Sequence, residues 1–175
     1  MTKNERFRRV ARLCCYCAVN VAYYRAWWAG KELVTNDDFF VNANSNALDI
    51  AVLDWCILFT ERRGKHNWRK VVPETGEFLP ELYAQLKIDE NCFEGHCLKM
   101  KTYRDKFLAH LDEDRLMHIP DLTITLNSVV FLYGILQDED AALLNNLPTE
   151  LGQYYQERLA HGKRHATDQQ SSTIR

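Results

Sequence analysis

Residues 104–110, with the sequence RDKFLAH, contain the residue types that phosphate chemistry requires. Arg104 carries a positive charge that does not titrate in proteins, and its guanidinium can donate two parallel hydrogen bonds to a phosphate group. His110 titrates near neutral pH, so it can accept or donate a proton under physiological conditions. The pair therefore predicts a site that binds a phosphate group and transfers a proton beside it.

The helix that must position these two residues is predicted over 89–114. Its apolar side chains recur at spacings of three and four, which is the pattern of an amphipathic helix. The apolar stripe consists of Phe93, Cys97, Met100, Phe107 and Leu111. Arg104 stands where the stripe needs a core residue, and a charge at such a position is costly unless it has a partner or a role. His110 borders the same stripe.

An ideal helix separates the two residues. Arg104 and His110 each lie about 60° from Phe107, on opposite sides of it, so they are about 120° apart with about 9 Å of rise between them. A two-fold dimer that packs this face against itself would gather two arginines and two histidines around one cleft. The spacing therefore predicts a homodimer through the face of this helix.

Three neighbours are predicted to support the pair. Asp105 points about 160° away from Phe107 on an ideal helix, so either the helix is distorted there or Asp105 acts from behind by orienting Arg104. Lys106 lies four residues before His110, shares its face and can add affinity for phosphate. The ring of Tyr103 could stack on a nucleic-acid base, although core packing is favoured.

A structural role for the same residues is the competing interpretation. Arg104 could pair with a buried carboxylate, and Asp49 and Asp54 in the second predicted helix are the candidates. His110 could then be a core or surface histidine whose hydrogen bonds are satisfied.

Composition limits the classes of protein to consider. The chain has 175 residues, 46% of them hydrophobic, which is enough for one domain with a real core. The net charge is −2, so any nucleic-acid surface must be a local patch. Each basic cluster taken alone is more typical of a solvated face. The clusters are Arg6, Arg8, Arg9 and Arg12 in the first helix; Arg62, Arg63, Lys65, His66, Arg69 and Lys70 in a loop; and Lys99, Lys101, Arg104 and Lys106 around the motif.

The six cysteines and the terminal segments bear on location and metal binding. The N-terminus is charged and lacks an apolar signal region, and no run of 18 apolar residues could span a membrane. A reducing cytoplasm with free thiols is therefore expected. Cys14-x-x-Cys17, with Cys92, His96 and Cys97, has zinc-like spacing. Because these cysteines fall in helix-forming sequence, we favour buried thiols and expect no metal and no cofactor.

The elements predict an all-α fold. Apolar spacing and capping residues indicate helices over 4–33, 36–62, 79–86, 89–114, 121–137 and from 149, with Asn36 and Asp89 as caps. The β-branched residues 123–125 keep a strand possible in the fifth segment. No glycine-rich phosphate loop or alternating βα pattern is present, which argues against a nucleotide-binding α/β fold. The expected organisation is one helical domain over 1–161 and a disordered polar tail over 162–175.

Residues 36–115 resemble the HEPN superfamily. That superfamily is marked by an arginine, a polar residue and then a histidine four to six residues after the arginine, which here correspond to Arg104, Asp105 and His110. The strings RDKFLAHLD, ALDIAVLDWCILF and KHNWRKV are similar to the AbiU2-like branch.

The resemblance implies an up-and-down helical bundle of the HEPN type with five to six helices, usually dimeric. It also implies metal-independent cleavage of RNA by attack of the 2′-OH, giving a 2′,3′-cyclic phosphate. His110 from each subunit could serve as base and acid, and Arg104 would stabilise the transition state. A toxin or phage-defence effector of this kind implies an antitoxin partner. The alternative is a non-catalytic helical dimer that binds RNA or protein.

Overall fold

The all-α prediction with five to six helices is confirmed. The computed structural model describes residues 1–109 and 119–173, with only the helical backbone described at 107–109 and 170–173. Its six α-helices within those ranges are α1 Lys3–Ala26, α2 Asp38–Phe59, α3 Thr75–Leu86, α4 Glu90–Tyr103, α5 Leu122–Asp140 and α6 Leu151–Thr173. Shorter elements are the strands β1 Trp28–Ala29 and β2 Glu32–Leu33, the 3₁₀ turns Trp68–Lys70 and Ala141–Leu144, and the π-helix Arg104–Ala109.

Helix α1 begins at a capping box and ends earlier than predicted. The side chain of Thr2 accepts from the backbone N–H of Glu5, and the Glu5 carboxylate accepts from the N–H of Thr2. The helix ends at Ala26 because the chain then reverses in the antiparallel hairpin β1–β2. Gly30 makes that reversal with a φ of 67°, a conformation that favours glycine. The predicted helix over 4–33 is therefore wrong after Ala26.

Helix α1 is the centre of the core, since it packs against α2, α5 and α6. Its buried face includes Val10, Cys14, Cys17 and Val21, all with no exposed surface. The prediction of buried thiols is confirmed for the cysteines of α1, and burial raises the pKa of Cys15 to about 12. It is wrong for Cys92, which is exposed at the start of α4, and Cys97 is only partly buried. Among the described residues, no three His, Cys, Asp or Glu side chains are placed to share a metal ion.

Acidic residues cap three of the helices. Asp89 caps α4 as predicted, accepting from the N–H of Cys92 at 2.7 Å. Helix α2 is capped by Asp37 and not by Asn36, and it ends at Phe59. Asp121 caps α5, which is a helix and not the alternative strand, since its apolar residues recur at helical spacing toward the core.

The loop between α2 and α3 is anchored by aromatic packing. Trp68 is 1% exposed and its ring stacks on Phe78 with 4.1 Å between centroids. Asn67 is fully buried, and its side-chain oxygen accepts from the N–H of Arg69. Helix α3 begins at Thr75, four residues before the predicted start, so that Phe78 on its first turn can reach Trp68.

Helix α6 extends into the segment that was predicted to be a disordered tail. It continues to Thr173, so the prediction of a disordered tail from 162 is wrong over most of that segment. Gly162 lies so close to α1 that an added Cβ would be 2.6 Å from the Cβ of Ala26, and Ala166 is 3% exposed. Two small residues four apart therefore form a packing face inside a polar sequence. None of the described helices is long and apolar enough to cross a membrane.

Candidate functional site

Arg104 lies where the helix changes form. Helix α4 ends at Tyr103 and the backbone continues without a break as the π-helix Arg104–Ala109. A π-helix bonds each N–H five residues back, so its side chains are spaced differently from those of an α-helix, and short π segments are frequent at functional sites. The helix is distorted at Asp105, which is one of the two arrangements that the sequence allowed. The angles of an ideal α-helix therefore do not apply within Arg104–Ala109.

Two carboxylates hold the Arg104 guanidinium. Its Nε donates to Asp105 Oδ1 at 2.8 Å, and its Nη1 donates to Glu61 Oε1 at 3.1 Å. The Arg104 side chain is 20% exposed, so the group is partly buried but still open to a ligand. The hydrogen bond to Asp105 raises the pKa of Arg104 and outweighs the opposing effect of burial. Asp105 therefore orients Arg104. The helix distortion and the orienting contact, which the sequence offered as alternatives, occur together.

Asp49 and Asp54 are not the partners of Arg104, which corrects the structural pairing considered for the sequence. Asp49 accepts a hydrogen bond from the hydroxyl of Tyr103 at 2.8 Å. Asp54 is 8% exposed, and its Oδ2 has no hydrogen-bond partner within the described part of the chain. The actual partner, Glu61, lies 43 residues before Arg104 in the loop that follows α2. No local pattern in the sequence indicates that contact.

The other predicted site residues differ in how they are placed. Tyr103 is 3% exposed, so its ring packs in the core and is not offered to a base. Burial, followed by the hydrogen bond to Asp49, raises the pKa of Tyr103. Lys106 lies in the π-helix two residues after Arg104 and is half-buried. His110 lies outside the described residues, so its proposed pairing with Arg104 stays a prediction.

A groove of about 660 Å³ opens beside Arg104, between the end of α2 and the outer face of α4. Glu61 links the two, because it lines the groove and also accepts from Arg104. Three cations, Arg62, Arg63 and Lys101, line the same groove. The remaining lining residues are Phe59, Thr60, Gly64, Glu94, Cys97 and Leu98. With the Glu61 charge engaged by Arg104, the groove presents more positive than negative charge.

His96, on helix α4, has a structural role. His96 is 3% exposed, its Nε2 lies 3.1 Å from the hydroxyl of Thr125, and its ring packs edge-on against Trp55. Burial lowers the pKa of His96 to about 4, so the ring is neutral at physiological pH. A buried neutral histidine with a satisfied nitrogen cannot act on an external ligand. His96 is therefore not a candidate for the proton transfer that the sequence predicts at this site.

Comparison of the chain with models of protein families, with curated proteins and with solved structures returns no match. The resemblance of residues 36–115 to the HEPN superfamily therefore stays a prediction that rests on the sequence strings. The functional argument rests on the geometry around Arg104.

Proposed function

We propose that the protein is a metal-independent endoribonuclease of the HEPN type that acts in the cytoplasm as a toxin or phage-defence effector. The observation that supports this proposal is the placement of Arg104. Its guanidinium is partly exposed and is held in one orientation by Asp105 and Glu61. Through Glu61 it contacts a wall of a groove that is also lined by Arg62, Arg63 and Lys101. A fixed, permanently charged fork beside a cationic groove suits the phosphate of a nucleic-acid strand.

The proposed reaction uses the nucleophile that RNA carries. The 2′-oxygen attacks the adjacent phosphorus as His110 of one subunit removes the hydroxyl proton, and a bond from O2′ to phosphorus forms. The bond from phosphorus to O5′ breaks, and His110 of the second subunit supplies a proton to the leaving oxygen. The products are a 2′,3′-cyclic phosphate and a 5′-hydroxyl. Arg104 stabilises the added negative charge on the phosphate oxygens in the transition state.

The proposal includes a homodimer because one helix carries only one histidine of the motif. Packing of the motif-helix face against its two-fold mate would place both His110 side chains at one cleft. Asp105 keeps Arg104 oriented, and Lys106 adds positive charge to the same helix. A toxin of this class would also have an antitoxin partner that blocks the cleft until release.

Substitution of the two motif residues tests the proposed activity. Arg104→Ala removes the transition-state charge partner and is expected to lower the cleavage rate by about 10²–10³-fold. His110→Ala removes a proton-transfer group and is expected to lower it by about 10²–10⁴-fold. Growth of expressing cells and integrity of total RNA are measured together, with purified proteins assayed on tRNA, rRNA and mRNA.

Lys99→Ala is the matched control, since Lys99 is an exposed cation of α4 outside the groove. The control should cleave RNA like the wild type. If wild type and all three variants leave growth and RNA unchanged, the endoribonuclease proposal fails.

A non-catalytic binding module is the second candidate, and the two carboxylates on Arg104 favour it. In that case Arg104 ties the π-helix to the loop after α2, and its loss should lower the free energy of unfolding. An exposed ion pair contributes only about 0.2–1 kcal/mol, so a larger loss in Arg104→Ala, with RNA left intact by the wild type, would support the structural role. Urea unfolding of the same variants separates the two candidates.

A further inference from the structure

We propose that RNA is bound beyond Arg104 along a second, connected surface formed by the loop after α2 and the first turns of α1. This surface, here called the cationic track, consists of Arg62, Arg63, Lys65, His66, Arg9 and Arg6. It would bind the phosphates of a single strand on one side of the scissile bond. The identity of the ligand rests on the proposed function, whereas the clustering of the cations does not.

The track begins in the groove beside Arg104. Arg62 and Arg63 line the groove and directly follow Glu61, which contacts Arg104 at 3.1 Å. The chain from Glu61 to Arg63 therefore connects the Arg104 guanidinium to the first two cations of the track without a gap. Lys101 faces the same groove from α4, so a strand entering there meets positive charge on both walls.

The loop that carries these cations has a fixed backbone. The N–H of Gly64 donates to the carbonyl of Glu61 at 2.7 Å, and an added Cβ on Gly64 would lie 2.9 Å from that oxygen. Only glycine allows so tight a turn without displacing Glu61. Beyond the turn, the buried residues Asn67 and Trp68 anchor the loop to the core. A loop that is already ordered loses little entropy when a ligand binds.

The track continues onto α1 through His66. This histidine is partly buried, and burial, followed by the charges of Arg9, Arg6 and Lys65, lowers its pKa. The positive charges of Arg9 and Arg6 on α1 and of Lys65 on the loop therefore act together on one imidazole. The Nε of Arg6 is buried and has no hydrogen-bond partner within the described part of the chain. An unpartnered donor within a cluster of like charges is the arrangement expected where an anion binds.

Carboxylates do not neutralise the track. Among residues 1–109 and 119–173, none of its six members has a carboxylate oxygen within 4 Å, since the ion pairs found there involve Arg104. The acidic group that acts on Arg9 is Asp54, and burial raises the pKa of Asp54 to about 7, so its charge is incomplete at neutral pH. In a chain with a net charge of −2, a cluster of this kind destabilises the free protein and is relieved by a bound polyanion.

Phosphate contacts of this kind position a strand without reading its sequence. Each contact on a single strand releases counterions, and the logarithm of the binding constant falls with the logarithm of the salt concentration by about 0.7 per phosphate. The track therefore has a signature that a structural cluster lacks. Lengthening the RNA should raise the affinity, and the gain should be sensitive to salt.

The test uses the 175-residue chain carrying His110→Ala, so that RNA is bound and not cleaved. The track variant is Arg9→Gln with Lys65→Gln, and the matched control is Arg12→Gln with Lys70→Gln, which removes the same charges from the same two elements outside the track. Fluorescence anisotropy gives the affinity for oligonucleotides of about 4 and about 12 nucleotides at several salt concentrations. Circular dichroism and thermal unfolding verify the fold of each protein.

Lengthening the RNA is expected to raise the affinity of the parent and the control much more than that of the track variant. The track variant should bind the long RNA roughly tenfold more weakly, and its salt slope should fall by about 1.4 for two lost contacts. If the track variant and the control bind the long RNA equally, the track is wrong. If inorganic phosphate displaces the long RNA at low millimolar concentration from parent protein, the cluster is a site for free phosphate and the RNA track is likewise wrong.

The outcomes for the track and for the enzyme are separable. Track-dependent binding together with intact RNA in assays of the wild type would keep the track and reject the endoribonuclease. Cleavage by the wild type together with equal binding by the track variant and the control would keep the enzyme and reject the track.

Discussion

The guanidinium of Arg104 donates to two carboxylates, that of its neighbour Asp105 and that of the distant residue Glu61. Asp105 is adjacent in sequence and accepts from the Nε of Arg104, so the two terminal nitrogens of the guanidinium are left for other partners. One of these terminal nitrogens, Nη1, donates to the Glu61 carboxylate. A phosphate that approached Arg104 from the groove would meet the Glu61 carboxylate first, and two anions cannot share one donor without mutual repulsion. In the proposed site, Glu61 would therefore both hold Arg104 in the free protein and compete with phosphate for its Nη1 group.

Glu61→Gln tests this competition. The substitution keeps the shape of the side chain and removes its charge, so Arg104 becomes available to phosphate. Because an exposed ion pair contributes about 0.2–1 kcal/mol, we expect RNA to bind up to about fivefold more tightly to the variant. The measurement is RNA affinity by anisotropy in the His110→Ala background.

Glu94→Gln is the control for this substitution, since Glu94 lines the groove without contacting Arg104. It should raise the affinity less than Glu61→Gln does. Weaker RNA binding by Glu61→Gln would mean that Glu61 holds Arg104 in its working orientation and does not compete with phosphate.

The sequence predicts part of this site because part of it is local. Arg104 interrupts an apolar stripe, and an ideal helix points Asp105 away from that stripe, so a distortion or an orienting contact could be anticipated. The partner in the loop after α2 could not be anticipated, since a contact across 43 residues depends on how two helices pack. Asp49 and Asp54 on α2 were plausible partners, but Asp49 accepts from Tyr103 and Asp54 is not paired with Arg104.

At the scale of elements, the change from α4 to the π-helix decides how the motif is presented. Apolar periodicity fixes the length of a helix but not its hydrogen-bond pattern, because α and π segments use the same residue types. No glycine or proline marks the transition at Arg104. The ideal α-helix assumed for the sequence therefore does not describe the backbone from Arg104 to Ala109, and the placement of His110 stays a prediction.

The helices were predictable and their ends less so. Buried residues at spacings of three and four identify the helical segments, and Asp89 marks a true start. The end of α1 was missed because Trp27, Trp28 and Ala29 continue a helical composition and a single glycine makes the turn. The extent of α6 was missed because its packing face consists of Gly162 and Ala166, which carry no apolar signal.

Gly162→Ala tests the contact between α6 and α1. The new methyl group would lie 2.6 Å from the Cβ of Ala26, so the two helices must separate. We expect the free energy of unfolding to fall by about 1–3 kcal/mol, as in other overpacked cores. Gly134→Ala in α5 is the control, because nothing lies within 4 Å of its added Cβ. It should gain about 0.5–1 kcal/mol from helix propensity. Equal stabilisation by both substitutions would show that α6 does not pack on α1 in solution.

At the scale of the whole molecule, the buried groups Asp54 and His96 make the free energy of unfolding depend on pH in opposite directions. Burial raises the pKa of Asp54 from 3.8 to about 7, against the attraction of Arg9. Burial lowers the pKa of His96 from 6.5 to about 4. Burial therefore favours the neutral form of both groups, and each destabilises the native state in the pH range where its unfolded form is charged.

Asp54→Asn tests the acidic half of this balance. Because the folded pKa is the higher one, the stability associated with Asp54 is complete below about pH 4 and is lost as the pH rises through about 7. The variant lacks the titrating carboxyl group, so it does not lose this stability. Its free energy of unfolding should exceed that of the wild type by an amount that grows with pH across this window, up to about 4 kcal/mol for a pKa raised by about three. Urea unfolding at intervals from pH 4 to pH 8 gives the difference.

His96→Gln provides the opposite comparison. Its folded pKa is the lower one, so the stability associated with His96 is present above about pH 6.5 and is lost as the pH falls through about 4. The difference between His96→Gln and the wild type should therefore shift in favour of the variant toward acid. A pH-independent difference for both variants would contradict the burial of these groups.

The docking of α6 on α1 also determines when the bundle can close during synthesis. Ala26 meets Gly162, and Arg25 donates to the hydroxyl of Tyr155 at 3.0 Å, so one face of α1 is completed only by residues far downstream. A ribosome adds roughly 5–20 residues per second. Synthesis of the residues between Ala26 and Gly162 therefore leaves that face of α1 uncovered for roughly ten seconds. Contacts of such long range also slow folding, because the chain must lose the entropy of closing a long loop before the contacts can stabilise it. A nascent chain that stalls before α6 would expose an apolar face to chaperones and to aggregation.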